Sequence, residues 1–118
     1  MTPLIRMEWV PTQEEFDRFA HISGDDNPIH VDPEFSARTR FGRTVSHGML
    51  IYTKLWGMVS RTFPARAHRF QSMMFPNPAY AGEALILEIS ETPEGQLSVI
   101  ALRKADEKIV FQGQAQVA

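Results

Sequence analysis

The stretch that follows Gly48 constrains the fold more than any other part of the chain. Its apolar residues occupy nearly every face of a helix instead of one stripe. These residues are Met49, Leu50, Tyr52, Leu55, Trp56, Met58 and Val59. A helix with this distribution is expected to be buried on most of its circumference, because apolar faces are unfavourable in water. Any fold for this chain must therefore supply a surface that encloses one helix.

After Pro64 the residue pattern changes from that of a helix to that of strands. Four stretches have strand-like composition, and turn-forming residues separate them. They cover residues 68–75, 84–91, 97–103 and 108–117. The connections between the last three are of hairpin length, so these strands should pair antiparallel. The sequence therefore predicts an α+β domain in which an antiparallel sheet wraps the central helix.

The N-terminal part of the chain adds one strand and one helix to this plan. Residues 4–10 partly alternate apolar with charged side chains, which predicts a short first strand. Thr12 and Glu15 have the spacing of a capping box, so a helix over 13–22 should follow. Gly24 is a residue that commonly ends a helix. These elements belong to the same α+β domain as the later strands.

Length, charge and composition exclude several classes of protein. The chain has 118 residues, which predicts one domain over 1–118. Its 12 basic and 14 acidic residues give a formal charge of −2, so nucleic acid is not an expected partner. We find no signal-peptide pattern and no apolar run near the ~20 residues of a membrane span, so we expect no membrane partner and a cytoplasmic location. The absence of cysteine excludes a thiol nucleophile.

Residues 24–33 contain the side chains that are best suited to take part in a reaction. They are rich in Gly, Asp, Asn and Pro, which predicts a structured loop, and Asp32 before Pro33 predicts a short helix over 33–39. Pro28 stiffens the chain between Asp25 and His30, so a carboxylate and an imidazole could share one water molecule. Residue types alone leave a second interpretation open, in which these side chains only form turns.

A longer pattern surrounds this loop and resembles a known family. It runs Phe19-Ala20-His21-Ile22-Ser23-Gly24-Asp25-Asp26-Asn27-Pro28-Ile29-His30 and continues through Asp32-Pro33 to Val45-Ser46-His47-Gly48-Met49-Leu50. This pattern resembles the MaoC-like (R)-specific enoyl-CoA hydratases and hydroxyacyl-thioester dehydratases. The likeness is close over about residues 16–50. It implies a hot-dog fold, a curled antiparallel sheet of about five strands around one helix.

The resemblance also implies an activity and its residues. Members of this family add water to 2-enoyl thioesters or remove it from (R)-3-hydroxyacyl thioesters, usually as homodimers. The substrate is an acyl-CoA or acyl-carrier-protein thioester, so coenzyme A or pantetheine belongs to the substrate and no cofactor is expected. Asp25 and His30 correspond to the family's catalytic pair. Asn27 would support them at the substrate site.

The start of the central helix supplies the other half of the expected site. Unpaired N–H groups and the helix dipole favour an anion there, and Gly48 lets an acyl carbonyl approach the backbone. On residue type alone, Gly48 could equally ease the junction between the loop and the helix. The resembling family uses this terminus as its oxyanion hole, which implies a catalytic role for Gly48. His47 could be a second catalytic imidazole, but its neighbours do not require it. We therefore place His47 beside the substrate in a structural role, in which it could donate a hydrogen bond to a loop carbonyl.

Three further features bear on substrate recognition. Trp56 could shorten an acyl tunnel or pack in the core. Lys54 could reach the rim or meet an acid at a dimer interface. An arginine cluster could bind substrate phosphates or form a solvated face, and it consists of Arg38, Arg40 and Arg43.

Other chemistries fit the sequence less well. The acidic loop that starts at Asp25 lacks the Gly and Glu of a calcium loop, and no H-E-x-x-H motif occurs, so we expect no metal. Two alternatives to the hydratase remain. One is a hot-dog thioesterase, and the other is a non-catalytic subunit that binds acyl thioesters.

Overall fold

The computed structural model describes residues 3–118. Within this range the chain forms four helices and five strands. The helices are α1 (Gln13–Ser23), α2 (Pro28–Val31), α3 (Pro33–Ala37) and α4 (Gly48–Thr62). The strands are β1 (Ile5–Trp9), β2 (His68–Gln71), β3 (Leu85–Glu91), β4 (Leu97–Arg103) and β5 (Ile109–Val117). None of the helices between residues 3 and 118 has the length and hydropathy needed to cross a membrane.

The five strands form one antiparallel sheet in the order β1-β3-β4-β5-β2. Helix α4 packs against β3 and β5. Residues of the helix that face the sheet, among them Ile51 and Leu55, join one apolar cluster with Leu87, Val99 and Phe111. The predicted α+β arrangement of a central helix on an antiparallel sheet is therefore confirmed.

Glu15 connects β1 and α1 to α4 through hydrogen bonds and an ion pair. The predicted capping box is present, because Glu15 N donates to Thr12 Oγ1 and Thr12 N donates to a Glu15 carboxylate oxygen, both at 3.1 Å. The same carboxylate accepts a hydrogen bond from Trp9 Nε1 at 3.1 Å and lies 3.0 Å from Lys54 Nζ. Burial alone would raise the pKa of Glu15, but the hydrogen bonds and the charge of Lys54 lower it overall. Lys54 thus meets an acid of its own chain.

The exposure of α4 differs from the sequence expectation. We expected burial on most of its circumference, but the structure covers one side and leaves Met49 49 % and Trp56 45 % exposed. The physical reason is that a single sheet can cover only one side of a helix. Trp56 therefore neither packs in the core nor narrows a tunnel within this chain. A second apolar surface lies near the edge strand β2 and consists of Phe70, Met73, Met74 and Phe75.

Candidate active site

The end of α1 sets the position of Asp25. Gly24 ends the helix with a positive φ of 82°, as expected for a residue without a Cβ. Ser23 Oγ donates to Phe19 O at 2.7 Å and accepts from Asp25 N at 3.1 Å. The backbone leaves α1 in a fixed direction, and Asp25 follows directly after this turn.

His30 lies on a one-turn helix, whereas the sequence predicts a loop there. Asn27 caps this helix, α2, by accepting a hydrogen bond from Ile29 N at 3.1 Å, and Pro28 occupies its first position. An Asn-Pro pair indicates either a turn or an N-cap with proline at the first helical position, and here it is the second. Asn27 thus supports His30 through the backbone.

The imidazole of His30 is oriented by a backbone carbonyl. Its Nδ1 lies 2.7 Å from Val45 O, and a carbonyl can only accept, so Nδ1 carries a proton and donates it. The other nitrogen, Nε2, lies 3.7 Å from Asp25 Oδ2. This distance is too long for a direct hydrogen bond but suits two groups that share a water molecule. The Asp25 side chain is 56 % exposed and that of His30 only 15 %, so water reaches the pair from the carboxylate side.

His47 lies behind this pair and is almost fully buried. Its Nε2 lies 2.9 Å from the backbone carbonyl of Asp25, which agrees with the loop-carbonyl hydrogen bond expected from the sequence. The rings of His47 and His30 stack with centroids 3.9 Å apart and planes 22° from parallel. Burial lowers the pKa of His47 below its ordinary value of about 6.5. The ring is therefore neutral at physiological pH.

The N-terminus of α4 borders the same cavity as Asp25, and no side chain among residues 3–118 caps its first N–H groups. His47 is the N-cap residue, but its side chain makes no capping hydrogen bond. A Cβ built on Gly48 would lie 2.7–2.9 Å from ring atoms of Phe75. The space that glycine leaves open, which the sequence predicts as room for an acyl carbonyl, is filled by the Phe75 ring, so a carbonyl can reach the N–H of Gly48 only from the cavity that both residues line. No local sequence pattern connects Phe75 to Gly48, 27 positions earlier.

A cavity of about 480 Å³ lies between this helix terminus and the segment 75–79. Asp25, His47 and Gly48 line it, and His30 lies next to it, stacked on His47. Its apolar wall includes the buried side chains of Ile51, Ala79 and Val110. A polar group can therefore meet the helix terminus while an apolar group fills the interior.

Two residues assigned to substrate binding lie elsewhere. Asn27 does not line the cavity, and Trp56 borders a separate cavity of about 50 Å³ together with Phe63 and Val117. The structure thus brings together Asp25, His30, His47 and Gly48, but not Asn27 or Trp56.

The arginines of the cluster also differ in whether they line the cavity. Arg40 lines the main cavity, with its guanidinium 4.9 Å from the centre of the Phe41 ring. Arg43 is paired with Glu83 at 2.6 Å and lies over Tyr80. Arg38 is exposed and follows α3. Only Arg40 of these three is placed to reach a molecule in the cavity.

Asp25, His30 and His47 also form the one cluster of potential metal ligands within residues 3–118, with donor atoms within 4.8 Å of one another. Each histidine uses one nitrogen on a backbone carbonyl. Because the rings are stacked, their in-plane lone pairs do not converge on one point. The geometry therefore suits a shared water better than a cation.

Comparisons with known proteins identify similar sequences and structures. The family described as MaoC like domain matches residues 2–109. A mitochondrial 3-hydroxyacyl-[acyl-carrier-protein] dehydratase of Arabidopsis thaliana is 30 % identical over 92 % of this chain and 61 % of its own length. An (R)-specific enoyl-CoA hydratase of Aeromonas caviae is 36 % identical over 63 % of this chain and 57 % of its own. The chain thus spans about three fifths of the length of these curated relatives.

A comparison with a solved structure shows that the similarity includes the backbone fold. The (R)-hydratase from A. caviae involved in PHA biosynthesis superposes with a TM-score of 0.85 at 27 % identity, over 96 % of this chain and 91 % of that one. This similarity confirms the hot-dog fold predicted from the sequence.

The contact between Gly48 and Phe75 generates a prediction about stability. Gly48→Ala should lower the free energy of unfolding by about 1–2 kcal/mol, because the new methyl group overlaps the Phe75 ring. In a Phe75→Ala background the same change should cost less than about 0.5 kcal/mol. Urea unfolding of the four proteins in this double-mutant cycle measures the coupling.

Gly57→Ala, in the same helix, serves as the matched control. There a Cβ meets only the tip of the flexible Arg61 side chain, so the change should be neutral or stabilising by up to about 1 kcal/mol. An equal cost of Gly48→Ala in both backgrounds would show that Phe75 does not constrain this helix terminus.

Proposed function

The chain belongs to the MaoC-like domain family, and from this premise we propose that it catalyses the reversible hydration of 2-enoyl thioesters. The reverse reaction removes water from (R)-3-hydroxyacyl thioesters. The observation that carries this proposal is the separation of 3.7 Å between His30 Nε2 and Asp25 Oδ2 beside a free helix N-terminus. The names of the similar proteins support the same reaction class.

In the proposed mechanism one water molecule bridges the pair. The Asp25 carboxylate and the unprotonated Nε2 of His30 are both acceptors, so each can hold one proton of that water. The lone pairs of the water oxygen are then free to attack C3 of the enoyl group. The pair removes one proton from the water and a proton is returned to C2, so the elements of one water are added to one face.

The helix terminus stabilises the charge that develops in this reaction. Attack at C3 moves negative charge onto the thioester oxygen, and we place this oxygen at the N–H of Gly48. An N–H donor held in advance at such an oxygen is typically worth a factor of about 10²–10³ in rate. The acyl group would lie against Ile51 and Val110 in the cavity. The roles of Asn27 and Trp56 at the substrate remain predictions without a contact to the cavity.

The activity is tested by following the loss of the conjugated enoyl absorbance of crotonyl-CoA. Asp25→Asn and His30→Gln should each lower kcat by about 10²–10⁴-fold, because each removes one of the two groups that hold the water. Asp26→Asn is the matched control, since Asp26 does not line the cavity, and it should retain wild-type activity.

The same assay with a thiol reagent distinguishes a hydratase from the alternative, a thioesterase. Release of free coenzyme A would indicate a thioesterase. Full activity of both pair variants would overturn the proposed mechanism.

Arg40 is proposed to contact a phosphate of the coenzyme A or pantetheine part of the substrate. A guanidinium at the mouth of the cavity suits phosphate oxygens. Arg40→Glu should raise KM for crotonyl-CoA by about 5–10-fold at low salt and leave kcat within about 2-fold. Arg38→Glu makes the same charge change on an exposed residue outside the cavity and should leave KM unchanged. Equal KM values for the two variants would remove this role for Arg40.

We further propose that two copies of the chain form a homodimer. The exposed apolar residues of α4, Met49 and Trp56, and those near β2, Phe70 and Met74, form surfaces that monomers rarely expose to this extent. Strand β2 also ends the sheet, which leaves an unpaired edge. Sedimentation should give twice the mass of the chain, and Trp56→Glu should shift the equilibrium towards monomer. A wild-type monomer at assay concentration would contradict the proposal.

The cytoplasmic location and the single-domain extent of 1–118 stay predictions.

A further inference from the structure

His47 connects three parts of the site that are distant in the sequence. It directly precedes Gly48 and is the N-cap residue of α4. Its Nε2 bonds the carbonyl of Asp25, 22 residues earlier, at 2.9 Å. Its ring stacks on His30 and meets the edge of Phe19 with centroids 4.9 Å apart. One side chain thus contacts both members of the proposed pair and adjoins the proposed oxyanion donor.

The hydrogen bonds assign opposite tautomers to the two stacked histidines. The carbonyl of Asp25 can only accept, so Nε2 of His47 carries the proton and Nδ1 is left as a bare acceptor. This Nδ1 is buried and has no hydrogen-bond partner among residues 3–118. In His30 the nitrogens are exchanged, because its Nδ1 donates to Val45 O. His30 therefore offers a free Nε2 to water, whereas the proton on Nε2 of His47 is committed to the loop.

A charged His47 would lack a second acceptor. An imidazolium has two N–H donors, and in the part of the chain that the structure describes only the Asp25 carbonyl is in place to accept one of them. The titratable groups beside the ring are His30, which stacks on it, and Asp25. A second positive charge so close to His30 would be unfavourable. The surroundings thus favour the neutral form of His47.

We propose that His47 is a positioning residue for the hydration reaction and takes no part in proton transfer. It holds the backbone of Asp25 and the ring of His30 at a fixed place relative to the N-terminus of α4. The inference rests on the proposed function. A misplacement of about 1 Å between reacting groups can cost about 10²-fold in rate, so the hydrogen bond and the stacking both matter.

Two substitutions separate the hydrogen bond from the stacked ring. His47→Phe keeps a ring against His30 but removes the donor to the Asp25 carbonyl. His47→Gln keeps an N–H donor of similar reach but removes the ring. We expect His47→Phe to lower kcat for crotonyl-CoA by about 10–100-fold with KM within about 3-fold, and His47→Gln to recover part of that loss.

The pH dependence of kcat gives a readout that a merely structural role would not move. In His47→Phe the donor to the Asp25 carbonyl is lost, so the 3.7 Å separation of the Asp25 carboxylate from His30 Nε2 is no longer fixed. The pH dependence of kcat, which reports the two groups together, should therefore differ from that of the wild type. His21→Gln changes an exposed histidine that lies outside the cavity and should leave both kcat and the profile unchanged. A wild-type kcat and profile in His47→Phe would overturn the proposal.

Nitrogen-15 NMR of the imidazoles tests the arrangement in the wild-type protein without any substitution. We expect His47 to be a neutral Nε2–H tautomer at pH 7.5 that takes up a second proton only below its ordinary pKa of about 6.5, and His30 to be the Nδ1–H tautomer when neutral. An Nδ1–H tautomer of His47, or its protonation near pH 6.5, would overturn the inference. If the wild type failed to hydrate enoyl thioesters while the tautomers were as expected, the proposed function would fall but the assigned arrangement would stand.

Discussion

The packing of α4 against the sheet determines where the site can form. Leu55 and Ile51 of this helix are buried against β3 and β5, which fixes the helix axis and its N-terminus. The residues before the helix are held on both sides, since Val45 N donates to Ile29 O at 3.0 Å and Ser46 N to Ala79 O at 2.8 Å. The carbonyl of Val45 then orients His30, and His47 bonds the Asp25 backbone. Hydrogen bonds of a few backbone groups thus fix the position of the polar site relative to the apolar core.

The polar side chains of the site differ in their exposure to water. His47 is 2 % exposed and its burial lowers its pKa, whereas the Asp25 carboxylate is more than half exposed and remains hydrated. His30 lies between them. A group that must exchange protons needs contact with water or substrate, and a group that only holds others in place does not. The gradient of exposure across these three side chains therefore parallels the roles proposed for them.

Local patterns in the sequence predicted the local structure well. The capping box of Thr12 and Glu15, the stop at Gly24 and the cap at Asp32 each depend on neighbouring residues, and each is present in the structure. Helix α2 was missed because the pair Asn27-Pro28 indicates a turn as strongly as a helix start. The exposure of Trp56 and the contact of Phe75 with Gly48 depend on which surfaces meet in space, and no spacing along the chain encodes that.

The one-sided burial of α4 links the proposed dimer to the proposed reaction. Met49 and Phe75 both line the cavity, and both are among the large exposed apolar residues of the chain. A partner that covered this apolar surface would also close the rim of the cavity and exclude water from it. Electrostatic stabilisation at the helix N-terminus strengthens as water is excluded, because the local dielectric constant falls. The same exposed side chains on which the proposed dimer rests would therefore complete the site.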